Sequence, residues 1–544
     1  MSVASRTVPL GASQEWVLYR EQIEGQQDIL VFSVNVPAEV SEEAVRMAVQ
    51  QVVGAHDALR TRIVAAGGRK SLIVEPVDRA VEMLDWRTCH TPDPGREGLD
   101  QWHDDLLGQP FDVAEGAARC VLAVTPVQRR LVFLVHHSMC DGLAINVVVR
   151  DFLNALCGLP LPPRRRQASD HGFERNPVVE ERNLDRWLGT LAGAPANVTY
   201  TARKIAMRPE EGDLVAIFRL NRQLTSRLQH IAQTARSTFF ALWLSLVHAW
   251  TSQYTAEHDI ILAMMTANRS RRDDHDIVAN ISRPLWLRVA GERGDTFAQR
   301  LTAVHGALCE RLPWTAYSPV RVFEALCSDA RTRGSSFRPA VNTSLHILGG
   351  AHVPQGCGEE RHVLCESALA GPVRVVRTAD LPESSWSDLR VESVVKGGEL
   401  KFWLFMGQAI WHKRAPAELV QDLVSVVTTV SQAGLGLPVE APGVPFLGAR
   451  DWVRDRRSGS RLDLELVASV LRSIRGVTSA GVYAGPDGPG RPRIVTADVT
   501  VEPGSLTEQT QALLQREFLD RVPGCRGVAV PEVWQVGSGP MTMR

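Results

Sequence analysis

The 544-residue chain predicts a mixed α/β (α+β) fold, with two large lobes and a small α+β domain at its C-terminal end. Three observations predict it. Helical apolar spacing alternates with short β-branched runs through residues 1–175, and again through 176–435. The Pro/Gly-rich stretch GLPVEAPGVP at 436–445 then reads as a linker, leaving residues 446–544 as a separate unit. Finally, 544 residues exceed what one compact core accommodates, while 44% hydrophobic and 22% charged residues are ordinary globular values.

In the first lobe, QEWVLYR (14–20) begins an amphipathic helix. Ser41 precedes EEAVRMAVQQVVGAH, with Glu42 and Glu43 in the first turn and Val45, Ala48, Val52 and Val53 at helical spacing, so a capped helix is predicted. ALRTRIVA reads as a strand. VLAVTPV (121–127), a turn at Gln128–Arg130 and LVFLV read as a hairpin whose second strand is buried on both faces. LAINVVVRDFLNALCG (143–158) returns to helical period and stops at Gly158, with Pro160 beyond. In the second lobe, ERNLDRWLGTLAGAP is a helix ending at Gly193–Pro195, and Ser237 or Thr238 caps the helix FFALWLSLVHAWTSQY. DIILAMMTA, VNTSLHIL, LRVESVVK and ELKFWLFM are strands, and AELVQDLVSVVTTVSQAG is the closing helix.

Several function classes are disfavoured by composition. The net charge of -1 points to neither nucleic acid nor an anionic membrane surface. The most apolar stretch, FFALWLSLVHAW, is too short to span a bilayer, and the N-terminus lacks the basic-then-apolar form of a signal peptide. Nine cysteines are scattered with no CxxC pair, which argues against a zinc site and against a secreted disulfide framework. A cytoplasmic enzyme or binding protein that holds no metal is the expectation.

The chemistry concentrates in HHSMCDG (136–142), where the apolar strand hands over to a helix. An imidazole here would be held by a rigid strand and can accept or organise a proton near neutral pH. Asp141 could contact His137, or turn away and pin the loop by pairing with an arginine. Gly142 would let another backbone or a thin ligand approach. A capped loop without function explains the same residues. A metal is disfavoured because adjacent histidines point to opposite sides of extended chain and no third ligand is near in sequence. Ser138 lacks a GxSxG elbow around it.

HHSMCDG resembles the HHxxxDG signature of condensation domains from nonribosomal peptide synthetases, and further stretches follow in the same order. SQEWVLYR (13–20) resembles SxAQxRLWxL with Gln14 matched, AHDALRTRI (55–63) resembles RHExLRTxF, and RWLGTLAGAP (186–195) resembles WxxxLAGAP. DIILAMMTANRSR followed by DIVANISRPLWLRV (276–289) resembles a strand, an arginine turn and GxFVNTxPLR, with Ala279 in place of the Gly and Arg283 in place of the Asn. SSWSDLRVESV resembles the late FDLxL strand, so the likeness runs over roughly residues 8–435.

The resemblance implies two chloramphenicol-acetyltransferase-like lobes in a V, with a passage between them. Acyl or peptidyl carrier proteins would arrive in trans, each feeding a phosphopantetheine arm, and the chain itself would bind no cofactor. The acceptor would be a carrier-bound group or a free small-molecule amine. His137 would be the catalytic residue, either accepting the amine proton or orienting the amine and stabilising the tetrahedral state. His136 would face away and pack, and Asp141 would be structural, salt-bridged to the LRT arginine, Arg60. Asn342 and Ser344 could line the site, or be ordinary strand polar residues. The retained histidines disfavour a heterocyclising domain, and the lack of EGHGR and DFGWG elements disfavours epimerising domains and plant-type acyltransferases. Amide formation is therefore favoured, with ester formation or a non-catalytic carrier-binding platform as alternatives.

Residues 446–485 resemble the hinge and first helix of the small C-terminal subdomain of adenylating enzymes, and SGPMTMR resembles its LPLT segment. The NGK element and the large nucleotide-binding subdomain are missing, so adenylation is not expected. A degenerate unit that packs against the second lobe is favoured over a docking module. The arginine clusters 164–166 and 269–272 read as solvated loops.

Overall fold

A computed structural model describes residues 4–25, 27–66, 69–90, 112–124, 129–163, 166–200, 203–204, 214–347, 374–377, 388–407, 416–439, 452–485, 492–502 and 509–538. All of the terminal SGPMTMR but Ser538, most of the 436–445 linker, residues 125–128 of the expected hairpin, Arg164 and Arg165, and residues 384–387 of SSWSDLRVESV lie outside these.

Two mixed sheets organise the large lobes. The first has four described strands in the order Ile29–Val36, Arg129–His136, Ala118–Val124 and Asp85–His90; the first two neighbours are antiparallel and the last is parallel. Arg129–His136 is a central strand, and Leu131 through His136 are all buried. This is why LVFLV is continuously apolar rather than alternating. Phe133 stacks on Phe32 at 5.0 Å and meets Phe152 edge-on at 5.9 Å, which fastens the sheet to the helix Gly142–Leu156. Burying such a ring stabilises by about 2–3 kcal/mol. The same helix is tied to Glu42–Ala55 by His56 Nε2 and Asp151 Oδ2, 2.8 Å apart and both buried. Ser41 caps Glu42–Ala55 through Ala44 N, as its position before the apolar repeat predicts.

The second sheet runs Arg283–Ala290, Asp259–Thr266, Val341–Ile347, Leu389–Lys396, Glu399–Met406, Leu214–Leu220 and Arg374–Arg377. The helix Phe239–Thr255 is buried along nearly its whole length, capped by Thr238, so its sequence is apolar all round. ALRTRIVA divides in the structure: Asp57–Arg60 is a 3-10 turn, and the strand begins at Thr61.

The core of the first lobe contains a segment far away in sequence. Ile277, Val278, Ala279 and Ile281 pack among Val49, Phe133, Met139 and Val148 rather than with the second lobe's core. The loop between the strands Asp259–Thr266 and Arg283–Ala290 therefore crosses from the second lobe into the first. Ala279, in place of the expected Gly, is buried in that core, and its methyl group is absorbed there.

Residues 453–534 form a third core around Leu471, Val499 and Phe518, with the sheet Val477–Ala484, Val495–Val501 and Val533–Ser538. It is fastened to the second lobe by polar contacts. Buried Glu257 takes Arg461 Nε at 2.7 Å and also Arg454. Buried Asp388 takes Arg526 Nε at 2.7 Å, and Val530 N donates to the Gly334 carbonyl at 2.8 Å. Cys525–Arg526 pairs with Arg203–Lys204 as short antiparallel strands. Among the described residues, no helix is long and apolar enough to cross a membrane.

Candidate active site

The strand Arg129–His136 ends in a tight turn. His136 pairs with Ile29 in the ladder, Met139 N donates to the His136 carbonyl at 2.8 Å, and His137 N donates to the Asp28 carbonyl at 2.8 Å. Successive side chains diverge, so the two imidazoles have different fates. His136 is fully buried, with Nδ1 2.7 Å from Ser138 Oγ. Its Nε2 lies 2.8 Å from Glu21 Oε1, off the line of a good hydrogen bond. Ser138 is thereby committed to His136 and is itself buried. His137 is only half-buried.

His137 is gripped by a residue that sequence reasoning missed. Asn280, 5% exposed, donates from Nδ2 to the His137 carbonyl at 2.8 Å and to its Nδ1 at 3.3 Å. The amide's orientation follows from its partners: only the NH2 end can satisfy a carbonyl, and Oδ1 accepts from Ser282 Oγ at 2.7 Å. Nδ1 is thus the acceptor, and neutral His137 carries its proton on Nε2. Among the described residues, Nε2 has no hydrogen-bond partner. Ser13 Oγ donates to the Ser282 carbonyl at 2.6 Å, and Gln14 Nε2 approaches Met139 Sδ at 3.8 Å, so the helix Ala12–Glu24 braces both segments. One signal for Asn280 was available: it falls inside the DIVANISRPLWLRV element, although at a variable position of the pattern.

Asp141 ends the turn and caps the helix Gly142–Leu156, accepting from Leu143 N at 3.1 Å and Ala144 N at 2.9 Å. Its charge partner is Arg269, with Nη2 2.7 Å from Oδ1, and it also accepts from Ile281 N at 3.2 Å. The expected pairing with Arg60 is therefore corrected. Arg60 closes the turn Asp57–Arg60 and donates to the Glu75 carbonyl; burial lowers its pKa, and Asp57 acts against that shift. The physical reason is the crossing loop, which brings Arg269 to Asp141 and directs Nη1 and Nη2 to the Asp274, Ile277 and Ala279 carbonyls as well. Arg269 is buried, so the reading of 269–272 as a solvated loop holds for Arg271 and Arg272 but not for Arg269. Arg269→Gln is expected to cost about 3–5 kcal/mol by leaving a buried carboxylate unpaired. Arg60→Gln is expected to cost about 1 kcal/mol. Urea denaturation of the two variants distinguishes the two pairings.

Gly142 is the first residue of the helix; it is exposed and does not have positive φ. Asn342 and Ser344 share one face of the strand Val341–Ile347 and are half-buried, opposite buried Thr343. No hydrogen bond links either of them to His137 or Asn280.

Comparisons with known proteins identify the family and the fold. The condensation-domain family model matches residues 4–347, and the chain belongs to that family. Phosphinothricin tripeptide synthetase PhsC of Streptomyces viridochromogenes is 27% identical over 344 residues, covering 60% of this chain and 31% of the synthetase. Chondramide synthase cmdD of Chondromyces crocatus is 25% identical over 357 residues, covering 62% of this chain and 9% of the synthase. The chain thus spans about a third or less of the length of these relatives. Among solved structures, the condensation domain of Monacolin K polyketide synthase MokA superposes with a TM-score of 0.63 at 15% identity, covering 81% of this chain and all of that one. The fold is that of a condensation domain.

Proposed function

We propose that the chain joins an acyl or aminoacyl group, carried as a thioester on a carrier protein's phosphopantetheine arm, to an amine acceptor, with His137 as the catalytic residue. The observation that carries this reading is the state of the His137 ring. The backbone that carries it is held by the Asp28 carbonyl and by Asn280, which also meets the ring at Nδ1, while Nε2 is uncommitted and the ring is not sealed in the core.

The tautomer favours one of the two roles left open by the sequence. With the proton on Nε2, neutral His137 is a donor towards the reacting centre. It is suited to hold the thioester oxygen as negative charge develops, or to orient the attacking amine, rather than to take a proton. As the C–N bond forms and the C–S bond breaks, the proton lost by the amine ends on the departing thiol. Much of the rate would come from holding two reactants together in a fixed geometry.

Asn280→Asp tests the role. A carboxylate beside Nδ1 favours a proton there and leaves Nε2 as an acceptor. A stabilising role then predicts a fall of about 10²-fold or more in turnover. A rate equal to or above wild type would instead assign His137 as the base. Mass spectrometry of acyl-loaded carrier proteins, incubated with the chain and a panel of amines and alcohols, reads both the rate and the amide-versus-ester outcome. Residues 446–544 are read as a packing module for the second lobe, a reading supported by the ion pairs at Glu257 and Asp388.

A further inference from the structure

The strand that leaves the crossing loop begins with Arg283, three residues beyond Asn280. Three residues of chain span at most about 11 Å, so the backbone of Arg283 lies close to the residue that grips His137. Of the two intervening residues, Ser282 is fixed on both sides, donating to Asn280 through Oγ and accepting from Ser13 through its carbonyl. The Arg283 side chain has no hydrogen bond and no ion pair among the described residues, and its buried Nε is unsatisfied. Tyr317, Arg175, Glu180 and Glu15 act on it electrostatically, and it acts in turn on His171. Both carboxylates are already taken by Arg175: Nη1 donates to Glu15 at 2.6 Å, and Nε and Nη2 each donate to Glu180 at 2.8 Å. Burial presses the pKa of Arg283 down to about 10, which still leaves it charged at neutral pH.

A guanidinium carries five donors in a planar fork, and withdrawing it from water without partners is costly. Arg283 is nevertheless half-buried rather than sealed: of its guanidinium nitrogens only Nε is among the fully buried atoms without a partner. It also stands where the family pattern carries a neutral Asn. The geometry points to Arg283 as a specificity residue that receives the carboxylate of the acceptor, making the preferred acceptor an amine that also bears a free acid group, such as an α-amino acid. A planar carboxylate matches the fork in two parallel hydrogen bonds, which a carboxamide cannot reproduce. This rests on the proposed amide-forming reaction.

The test offers acyl-loaded carrier protein a panel of free α-amino acids and the matching carboxamides. Wild type is expected to use the acids at least about tenfold better than the carboxamides. Arg283→Gln should bring that ratio near one, and Arg283→Lys should restore part of it. A wild-type ratio near one, or a ratio unchanged in Arg283→Gln, overturns the proposal while leaving the amide-forming reading intact. If neither kind of amine is acylated, that reading fails, and melting curves with the same amino acids decide the proposal on their own. Acids that raise the melting temperature of wild type but not of Arg283→Gln support it, and equal shifts overturn it. Arg283→Gln alone should melt no lower than wild type, because it removes an unpaired buried charge. A drop of several degrees would assign Arg283 to structure instead.

Discussion

His137→Ala is expected to lower turnover of a loaded donor carrier by about 10²–10³-fold, the usual loss when one donor to a developing oxyanion is removed. Carrier binding and the melting temperature should remain those of wild type. The reason lies in how the residue is held. Its strongest contacts are made by its backbone, whose N–H meets Asp28 and whose carbonyl meets Asn280, and these survive truncation of the ring. Only the weaker Asn280 contact to Nδ1 is lost, at a side chain that is partly open to solvent. Product formation within a few-fold of the wild-type rate, read by mass spectrometry of the carrier, would remove His137 from the reaction and revive the platform reading. Loss of activity accompanied by a large drop in melting temperature would show instead that the ring is a structural element of the turn.

Asp141→Ala should have the opposite profile, with a loss of about 3–5 kcal/mol in folding stability. The carboxylate serves four partners: the amides of Leu143 and Ala144 at the helix start, the amide of Ile281, and the guanidinium of Arg269. Its removal leaves Arg269 buried and unpaired and takes away a helix cap, which by itself is worth about 1 kcal/mol. Native domains have only about 5–15 kcal/mol in total, so this variant should unfold at markedly lower urea concentration. The double variant Asp141→Leu with Arg269→Met is the control. Replacing both charges with apolar groups should recover much of the loss, because what the single variant suffers from is an uncompensated charge. A single variant that unfolds with wild type would show that the ion pair contributes nothing. A double variant as unstable as the single one would place the cost in the helix cap.

The family was legible because its signature is local. HHSMCDG occupies seven consecutive residues whose roles follow from strand alternation and helix capping, both short-range rules. The capped helix at Ser41, the doubly buried strand before His136 and the all-apolar helix after Thr238 appear in the structure for the same reason. Arg60 shows where this reasoning ended. It lies in a recognisable motif, and the conserved-looking spacing gave no information about distance in space. Arg269 was visible as part of an arginine-rich turn, yet its exposed neighbours Arg271 and Arg272 made the whole turn look solvated. Asn280 carried no individual signal, since an Asn in a loop is ordinary until its partner is known.

What the amino-acid order determined by itself is the set of local elements and the turn that separates His136 from His137, because these depend on neighbours within a few residues. Only the tertiary structure decided which arginine meets Asp141, which nitrogen of His137 is left free, and that Arg283 enters the folded protein without an ion pair of its own among the described residues. Each of these depends on the segment 269–283 crossing from one lobe into the core of the other, more than 120 residues after the motif it completes. That crossing is driven by burial of Ile277, Val278, Ala279 and Ile281, and the hydrophobic effect is non-directional. It rewards apolar residues for leaving water without specifying which core receives them, so the destination is settled only when the two lobes fold together.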